Sequence, residues 1–451
     1  MQQTFNALTF NVKTYGCQMN KHDSERIAGV LEGLGALQVD SFEEADIIIF
    51  MTCCVREAAD IRLLGQVGSL KNLPLRDGAM TKKRIIAIGG CIGQRDGDGL
   101  VELLPHIDVV FGTHNLQAVP RLISGAIQDG GHHVEVLEES LQFPTDLPTH
   151  RELDWAAWLP ITIGCNNFCT FCIVPHVRGR EKSRSMDDIL SEAQGYIDAG
   201  VKEITLLGQN VNSYGRDLSG QPEFAKLLRE IDALGVDRLR FATSHPKDLT
   251  DEVIQMFGSL RSLMPALHLP VQSGSNEILK RMNRKYTREH YLDLVRKLRE
   301  VCPEIALSTD IIVGFPGETA EDFEQTYELL KEVSYSQVFS FIYSRREGTP
   351  AAKWDDDTPR EVIQERFKRL CDLVQVGAYD NNQCELGRTL PVLVEGVSKR
   401  DSGILAGKSP KNITVHAPMP AGANIEELCG NFVNVKVDAA KTWYLNGVVV
   451  D

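Results

Sequence analysis

The stretch Ile161-Thr162-Ile163-Gly164-Cys165-Asn166-Asn167-Phe168-Cys169-Thr170-Phe171-Cys172 spaces three cysteines as C-x3-C-x2-C. An apolar, strand-like segment at 158–163 leads straight into these cysteines. Soft thiolates suit iron–sulfur ligation, and each of the three can hold one iron of a 4Fe–4S cube. No fourth cysteine continues the run, so the fourth iron keeps an open position. Metal sites that do chemistry typically keep one. A structural zinc usually takes paired C-x2-C knuckles, which a single trio does not supply.

This loop resembles the signature of the radical S-adenosylmethionine (SAM) enzymes, and Phe171, just before the last cysteine, fits that pattern. The resemblance implies that the amine and carboxylate of SAM chelate the open iron. It also implies that an electron from the cluster cleaves SAM to a 5′-deoxyadenosyl radical.

A chain of 451 residues holds two to four domains at roughly 100–200 residues each. Its apolar fraction of 43% and charged fraction of 24% are ordinary for a soluble globular protein. The first residues lack a charged segment leading into an apolar core, and the longest apolar runs, such as 47–51, are too short to span a bilayer. No signal peptide and no membrane association are expected. Eleven cysteines without a secretory signal point to a reducing compartment, the cytoplasm, and to metal binding rather than disulfides. The net charge of −14 argues against a protein coated in nucleic acid but leaves room for local basic tracks. One track is Arg178, Arg180, Lys182 and Arg184. The other is Lys280, Arg281, Arg284, Lys285 and Arg288, with Tyr286 interleaved as a stacking face. A charge run taken alone reads equally well as a solvated surface.

Residues 7–128 alternate between strand and helix patterns, which predicts a parallel sheet with strands at 10–15, 46–51, 84–88 and 108–111. Asn20 is the expected N-cap of the first helix, whose face carries Ile27, Val30, Leu31 and Leu34. Each of the first three strands runs into cysteine: Cys17, the pair Cys53-Cys54, and Cys91. Carboxyl ends of parallel strands share one edge, and neighbouring strands lie only about 5 Å apart. Gly16, Gly89 and Gly90 let the backbone come close there. Any one buried cysteine is an ordinary core residue, but three at equivalent strand ends predict a second iron–sulfur site.

Tyr15-Gly16-Cys17-Gln18-Met19-Asn20, Thr52-Cys53-Cys54-Val55-Arg56 and Gly90-Cys91-Ile92-Gly93-Gln94 resemble the three cysteine motifs of the methylthiotransferase N-terminal domain. The loop from Gly164 to Cys172, followed by Arg178-Gly179-Arg180, resembles the same family's radical SAM loop. The opening Tyr-Gly-Cys-Gln-Met-Asn points to the branch that acts on isopentenyladenosine in tRNA. By motif position the auxiliary ligands are Cys17, Cys53 and Cys91. Cys54 stands where the family usually has another residue and can compete with Cys53.

Residues 129–154 carry Glu138, Glu139, Asp146, Glu152 and Asp154 with Pro144 and Pro148, and read as an acidic linker. From 151 to 383, strand patterns at 159–163, 203–207, 238–242, 266–269, 306–313 and 337–343 alternate with helices. Ser185 with Asp188, and Thr319 with Asp322, mark helix starts. This predicts a partial TIM-like (β/α)6 barrel, which the resemblance also implies. Polar loops after its strands make Gln209, Asn210, Ser244 and Asp310 the expected SAM contacts. Gly314, in Gly314-Phe315-Pro316-Gly317-Glu318, resembles the glycine-rich motif that supports the adenine. His245 and His268 read as turn or core residues. A helix at 361–380 closes this domain, and from 390 the pattern changes to period two. Residues 385–450 are an expected small β-barrel resembling the RNA-binding TRAM domain, with Lys399, Arg400, Lys408 and Lys411 as phosphate candidates.

The fold class expected is therefore α/β, in three parts: a parallel-sheet domain at 8–128, a radical SAM barrel and a TRAM barrel. The resemblance, which covers nearly the whole chain, implies an enzyme that methylthiolates C2 of N6-isopentenyladenosine beside the tRNA anticodon. Its cofactors would be two 4Fe–4S clusters and SAM, the latter both methyl donor and radical source. Arg178, Arg180, Lys285, Lys399 and Arg400 are the expected tRNA contacts. Other partners would be an electron donor such as flavodoxin or ferredoxin and a sulfur source or cluster carrier. Sibling enzymes act on threonylcarbamoyladenosine or on a ribosomal-protein aspartate. An iron–sulfur RNA-binding redox sensor is the alternative of another class.

Overall fold

The computed structural model describes residues 2–54, 57–138 and 148–450. The chain forms two compact units, one of Met1–Glu152 with Ile163–Asn166 and Cys172–Lys182, the other of Leu153–Thr162, Asn167–Phe171 and Ser183–Asp451.

The first unit is built on a six-stranded sheet. Its strands are β1 (Thr9–Tyr15), β2 (Leu37–Gln38), β3 (Ile47–Thr52), β4 (Ile85–Gly90), β5 (Val109–Phe111) and β6 (His133–Glu135), in the order β2-β1-β3-β4-β5-β6. All neighbours run parallel. A parallel sheet is covered on both faces, so its central strand has no polar side. In β3, Ile47, Ile49 and Met51 enter one core with Phe10, Ile27, Leu31 and Phe111. Ile48 and Phe50 point the other way, to Leu63, Val67, Ile86 and Ile88. The four expected strands are present. The edge strands β2 and β6 are additional, and β6 occupies the start of the region expected to be linker. Residues 139–147 of that linker lie outside the described residues. The helix Gln18–Gly33 has Cys17, not Asn20, at its N-cap position, with no side-chain capping bond.

In the second unit, Ala156–Pro160, Glu203–Leu207 and Arg238–Phe241 form one parallel sheet, and Ala266–His268, Ala306–Val313 and Gln337–Ile342 form another. A parallel bridge between Leu239 and Leu263 joins them. Leu159, Leu206, Leu239, Leu267 and Leu307 share one core with Ile189, Leu228, Val253, Leu294 and Leu329 from the surrounding helices. This is the expected open six-strand barrel, with its first strand beginning at Ala156 instead of 159. Ser185 caps its helix by accepting from the Asp188 N–H, and Thr319 with Asp322 forms a complete capping box.

The helix Arg360–Gln383 leads into a closed five-stranded barrel of Thr389–Ser398, Asp401–Lys408, Thr414–Pro418, Tyr444–Val450 and Phe432–Ala440, in that order round the barrel. Val392, Val394, Leu405, Val415, Val435, Val437 and Leu445 fill it. Buried arginines fasten it to the larger barrel. Arg238 donates to the carbonyls of Lys408 (2.9 Å) and Pro391 (2.6 Å), and Arg240 donates to that of Ser409 (3.1 Å). No described helix is long and apolar enough to cross a membrane.

Gly89, near the end of β4, has no room for a side chain: a Cβ there would lie 2.1 Å from the fully buried ring of Phe111. Gly89→Ala should therefore lower stability by about 1–3 kcal/mol, the usual cost of overpacking. A fall in the denaturant midpoint of the first unit at unchanged slope is the measurement that checks it.

Candidate metal centres

Strand register brings the first thiol trio together. Tyr15 pairs with Thr52, and Thr52 with Gly90, so β1, β3 and β4 end level. Cys53 and Cys91 follow their strands immediately, and Cys17 follows one residue after β1. Gly90 makes the last turn possible, with φ of 83° and the space for its Cβ taken by the Thr52 carbonyl at 2.6 Å. Cys53 sits in the middle, its thiol interacting with both Cys17 and Cys91. Cys54 also reaches Cys91, and both are buried in the apolar core that contains Phe50, Leu63 and Ile92.

Hydrogen bonding to Cys53 holds the Cys17 thiol down at about 7, with the Arg178 charge contributing. Bonds from Cys53 and then Cys54 hold Cys91 well below the usual thiol range. Cys53 is pushed up, first by its bond to Cys17 and then by its bond to Cys91. These thiols are soft donors beside a buried cation, the environment that favours thiolate and metal binding. Among the described residues no three His, Cys, Asp or Glu are set round a single ion. A polynuclear cluster differs in giving each thiolate its own iron.

Arg178 is the buried cation, only 4% exposed. Its Nη2 donates to Asp23 Oδ2 (2.9 Å) and Asn20 Oδ1 (3.0 Å). Asn20 Oδ1 also accepts from Cys17 Sγ at 3.2 Å, while Asn20 Nδ2 donates to the Thr52 carbonyl. The expectation that Arg178 meets phosphate is thereby corrected, because its charge is spent inside. Arg184 is buried as well, donating to the Pro160 carbonyl and paired with Glu192. Only Arg180 of the first track's arginines is exposed.

In the second trio, Cys169 is buried and Cys165 and Cys172 are half-buried. The Cys165 N–H donates to the Gly179 carbonyl at 3.1 Å. Residues 281–284 brace the middle of the loop. The Thr170 N–H donates to the Met282 carbonyl (3.1 Å), and Asn283 Nδ2 donates to that of Phe168 (2.9 Å). Arg284, also buried, donates from Nη1 to Cys169 Sγ (3.4 Å), from Nε to Tyr286 Oη (2.8 Å) and from Nη2 to the Pro270 carbonyl (2.7 Å). Tyr286 is buried and bonded to the Val271 carbonyl, so it offers no stacking face. Lys280 and Lys285 remain exposed.

Phe171 packs edge-on against Phe315, ring centres 6.3 Å apart, which places the glycine-rich turn beside the loop. Gly314 has φ of 70°, and its N–H donates to Glu318 Oε2 at 2.9 Å. Burial pushes Glu318 up to about 7, although Arg366 lies 3.1 Å away.

Polar atoms gather after the strands Glu203–Leu207 and Arg238–Phe241. Asn210 Nδ2 donates to Asp248 (2.7 Å), Asn212 Oδ1 accepts from the His245 N–H (3.0 Å), and His245 Nδ1 accepts from the Lys247 N–H (3.2 Å). Their other polar atoms, Asn210 Oδ1, Asn212 Nδ2 and His245 Nε2, are buried without a partner, as is Ser244 Oγ. Such atoms cost about 1–3 kcal/mol each, which a bound ligand relieves. The His245 ring lies edge-on to Tyr286 at 5.6 Å, one side chain from Arg284 and two from Cys169. Asn210 and Ser244 are thus in this set. Gln209 is half-buried, and Asp310 is 3.4 Å from His268. Asn212, His245 and Arg284 are added by the structure; each bonds across a long gap in sequence.

Because Cys53 lies between Cys17 and Cys91, Cys53→Ala should abolish iron uptake at the first trio. Cys54→Ala should retain it. Iron and sulfide assays on variants that also lack the loop cysteines read this directly, and the reverse pattern would show that Cys54 is the ligand.

Comparison with known proteins gives matches to the Radical SAM superfamily at residues 159–330, to uncharacterized protein family UPF0004 at 9–112 and to the TRAM domain at 383–450. The radical SAM methyltransferase TsrM from Kitasatospora setae shares the fold, with a TM-score of 0.54 at 14% identity over 77% of each chain. Proteins named tRNA-2-methylthio-N(6)-dimethylallyladenosine synthase are similar over nearly the full length. That of Thermoanaerobacter sp. (strain X514) is 45% identical, covering 98% of this chain and 93% of its own. That of Carboxydothermus hydrogenoformans is 46% identical, covering 98% and 99%. With both thiol trios, the barrel and the terminal β-barrel in place, this chain belongs to the tRNA-2-methylthio-N(6)-dimethylallyladenosine synthase family of radical SAM enzymes.

Proposed function

We propose that this protein inserts a methylthio group at C2 of N6-isopentenyladenosine beside the tRNA anticodon. The observation that carries the reading is the presence of two separate thiol trios in a chain so similar to synthases of that name. That name selects isopentenyladenosine over threonylcarbamoyladenosine or a protein aspartate. The unpartnered polar atoms after the barrel strands favour an enzyme over a sensor, which needs no small-molecule site.

The C2 carbon bears an unactivated aromatic hydrogen that no side-chain base removes at neutral pH. With 4Fe–4S clusters on both trios and SAM bound, the cofactors supply a radical to take that hydrogen, a sulfur atom and a methyl group. The protein's part is to hold and orient. Cys165, Cys169 and Cys172 hold the SAM-binding cluster, and Arg284 fixes the Cys169 thiolate by donating to it. Cys17, Cys53 and Cys91 hold the auxiliary cluster. Asn210, Asn212, Ser244 and His245 supply donors and acceptors to SAM. Because Nδ1 of His245 accepts from the Lys247 N–H, its proton sits on Nε2, which is free to donate. Gln209, Asp310 and Gly314 complete the SAM contacts.

On the terminal barrel, Lys399 and Arg400 are exposed in the turn after Thr389–Ser398. Lys408 is instead bonded to Thr414, and Lys411 to Glu385. Trp443 and Tyr444 are 52% and 36% exposed, and Tyr444 stacks on His416 at 5.2 Å. The charges meet tRNA phosphates and the rings meet unstacked bases. Arg180 and Lys285 are further phosphate contacts. A flavodoxin- or ferredoxin-like donor supplies electrons, a separate carrier supplies sulfur, and the setting is the cytoplasm.

Mass analysis of tRNA nucleosides from a deletion strain should show isopentenyladenosine accumulating at the expense of its 2-methylthio form, restored by the wild-type gene and not by Cys169→Ala. An unchanged nucleoside profile would refute the assignment. For tRNA binding, Lys399→Ala/Arg400→Ala should reduce the slope of log affinity against log salt by about 1–2. Trp443→Ala should weaken binding by about 1–3 kcal/mol at every salt concentration, leaving the slope unchanged.

A further inference from the structure

We infer that Arg178 is a positioning residue for the auxiliary cluster, setting its charge balance and reduction potential, and that Asp23 is its counterweight. This rests on the two-cluster reading above and adds a role that the cysteine motifs do not contain. Three observations carry it. The guanidinium is buried, so its charge acts inside the protein with little screening. It reaches the site through Asn20, whose Oδ1 accepts both from Arg178 Nη2 and from Cys17 Sγ, and it pairs with Asp23. It also stands on Cys172–Lys182, the segment that begins with the last cysteine of the loop and packs within the first unit. The same short stretch that supplies a ligand to one trio therefore supplies the cation to the other.

The direction of the effect follows from electrostatics. One-electron reduction adds negative charge to a cluster already bearing thiolates. A nearby cation and hydrogen bonds to the sulfurs favour the reduced form and raise the potential. A nearby carboxylate opposes it. Arg178 and Asp23, held 2.9 Å apart, largely cancel at a distance. At the thiolates the arginine dominates because it shares the Asn20 Oδ1 acceptor with Cys17.

The test uses the full chain with Cys165, Cys169 and Cys172 changed to Ala, reconstituted anaerobically with iron and sulfide. Reductive titration with dithionite, followed by electron paramagnetic resonance, gives the midpoint of the auxiliary cluster. If this parent variant takes up no iron, the two-cluster reading itself fails. If it takes up iron, Arg178→Gln should lower the midpoint and Asp23→Asn should raise it, while Arg178→Lys stays near the parent. A merely structural pair would not give shifts of opposite sign. Equal midpoints, or shifts in the same direction, would overturn the inference while leaving the cluster assignment intact. Should Arg178→Gln lose the cluster outright, retention by Arg178→Lys would support the role of the charge. Loss from both would overturn it in favour of shape alone.

Discussion

Parallel pairing in register is the constraint on which the first centre depends. Because β1, β3 and β4 end level, residues just beyond them fall on one edge, within reach of a small metal cluster. What holds the ends level is the apolar run of β3, committed to cores on both faces of the sheet. A slip of one residue would exchange those faces and move Cys53 off the site. The sulfur geometry is thus fixed by hydrophobic packing well below it. The polar groups at the edge, Arg178, Asp23 and Asn20, are arranged on a frame they do not build.

The barrel follows the same strand-end rule, and the neighbouring unpartnered polar atoms after two of its strands are its candidate ligand side. Ser185 and Thr319 each find the backbone donor they are placed to accept. Asn210, Asn212, Ser244 and His245 each keep a buried atom without a partner. Folding alone would select against that arrangement, since every such atom costs stability. Arg284 and Tyr286 connect this group to Cys169, so the loop cysteine and the polar set share one buried network.

Much of this was legible in the sequence, for physical reasons. Alternating strand and helix patterns, period two from residue 390, and the caps at Ser185 and Thr319 are local signals, and they located the strands and helix starts. Cysteines at three successive strand ends foretold a shared edge. The basic tracks were misleading because charge says nothing about burial. Arg178 finds Asp23 across 155 residues and Arg284 finds Cys169 across 115, pairings that no local pattern records. Asn20 looked like a helix cap because its residue type favours one, but tertiary bonds to Thr52 and Arg178 use its amide instead. The edge strands β2 and β6 are too short to show a period.

The most direct test of the central claim is the iron and sulfide content of the reconstituted protein, with Mössbauer spectra to identify cluster type. Two independent trios predict about eight irons in the wild type, ~four per cube, all as 4Fe–4S clusters. Changing Cys17, Cys53 and Cys91 together to Ala should leave half of that, as a single cluster that still binds SAM. Equal iron in the two proteins, or complete loss in the variant, would contradict the claim that two separate centres share this chain.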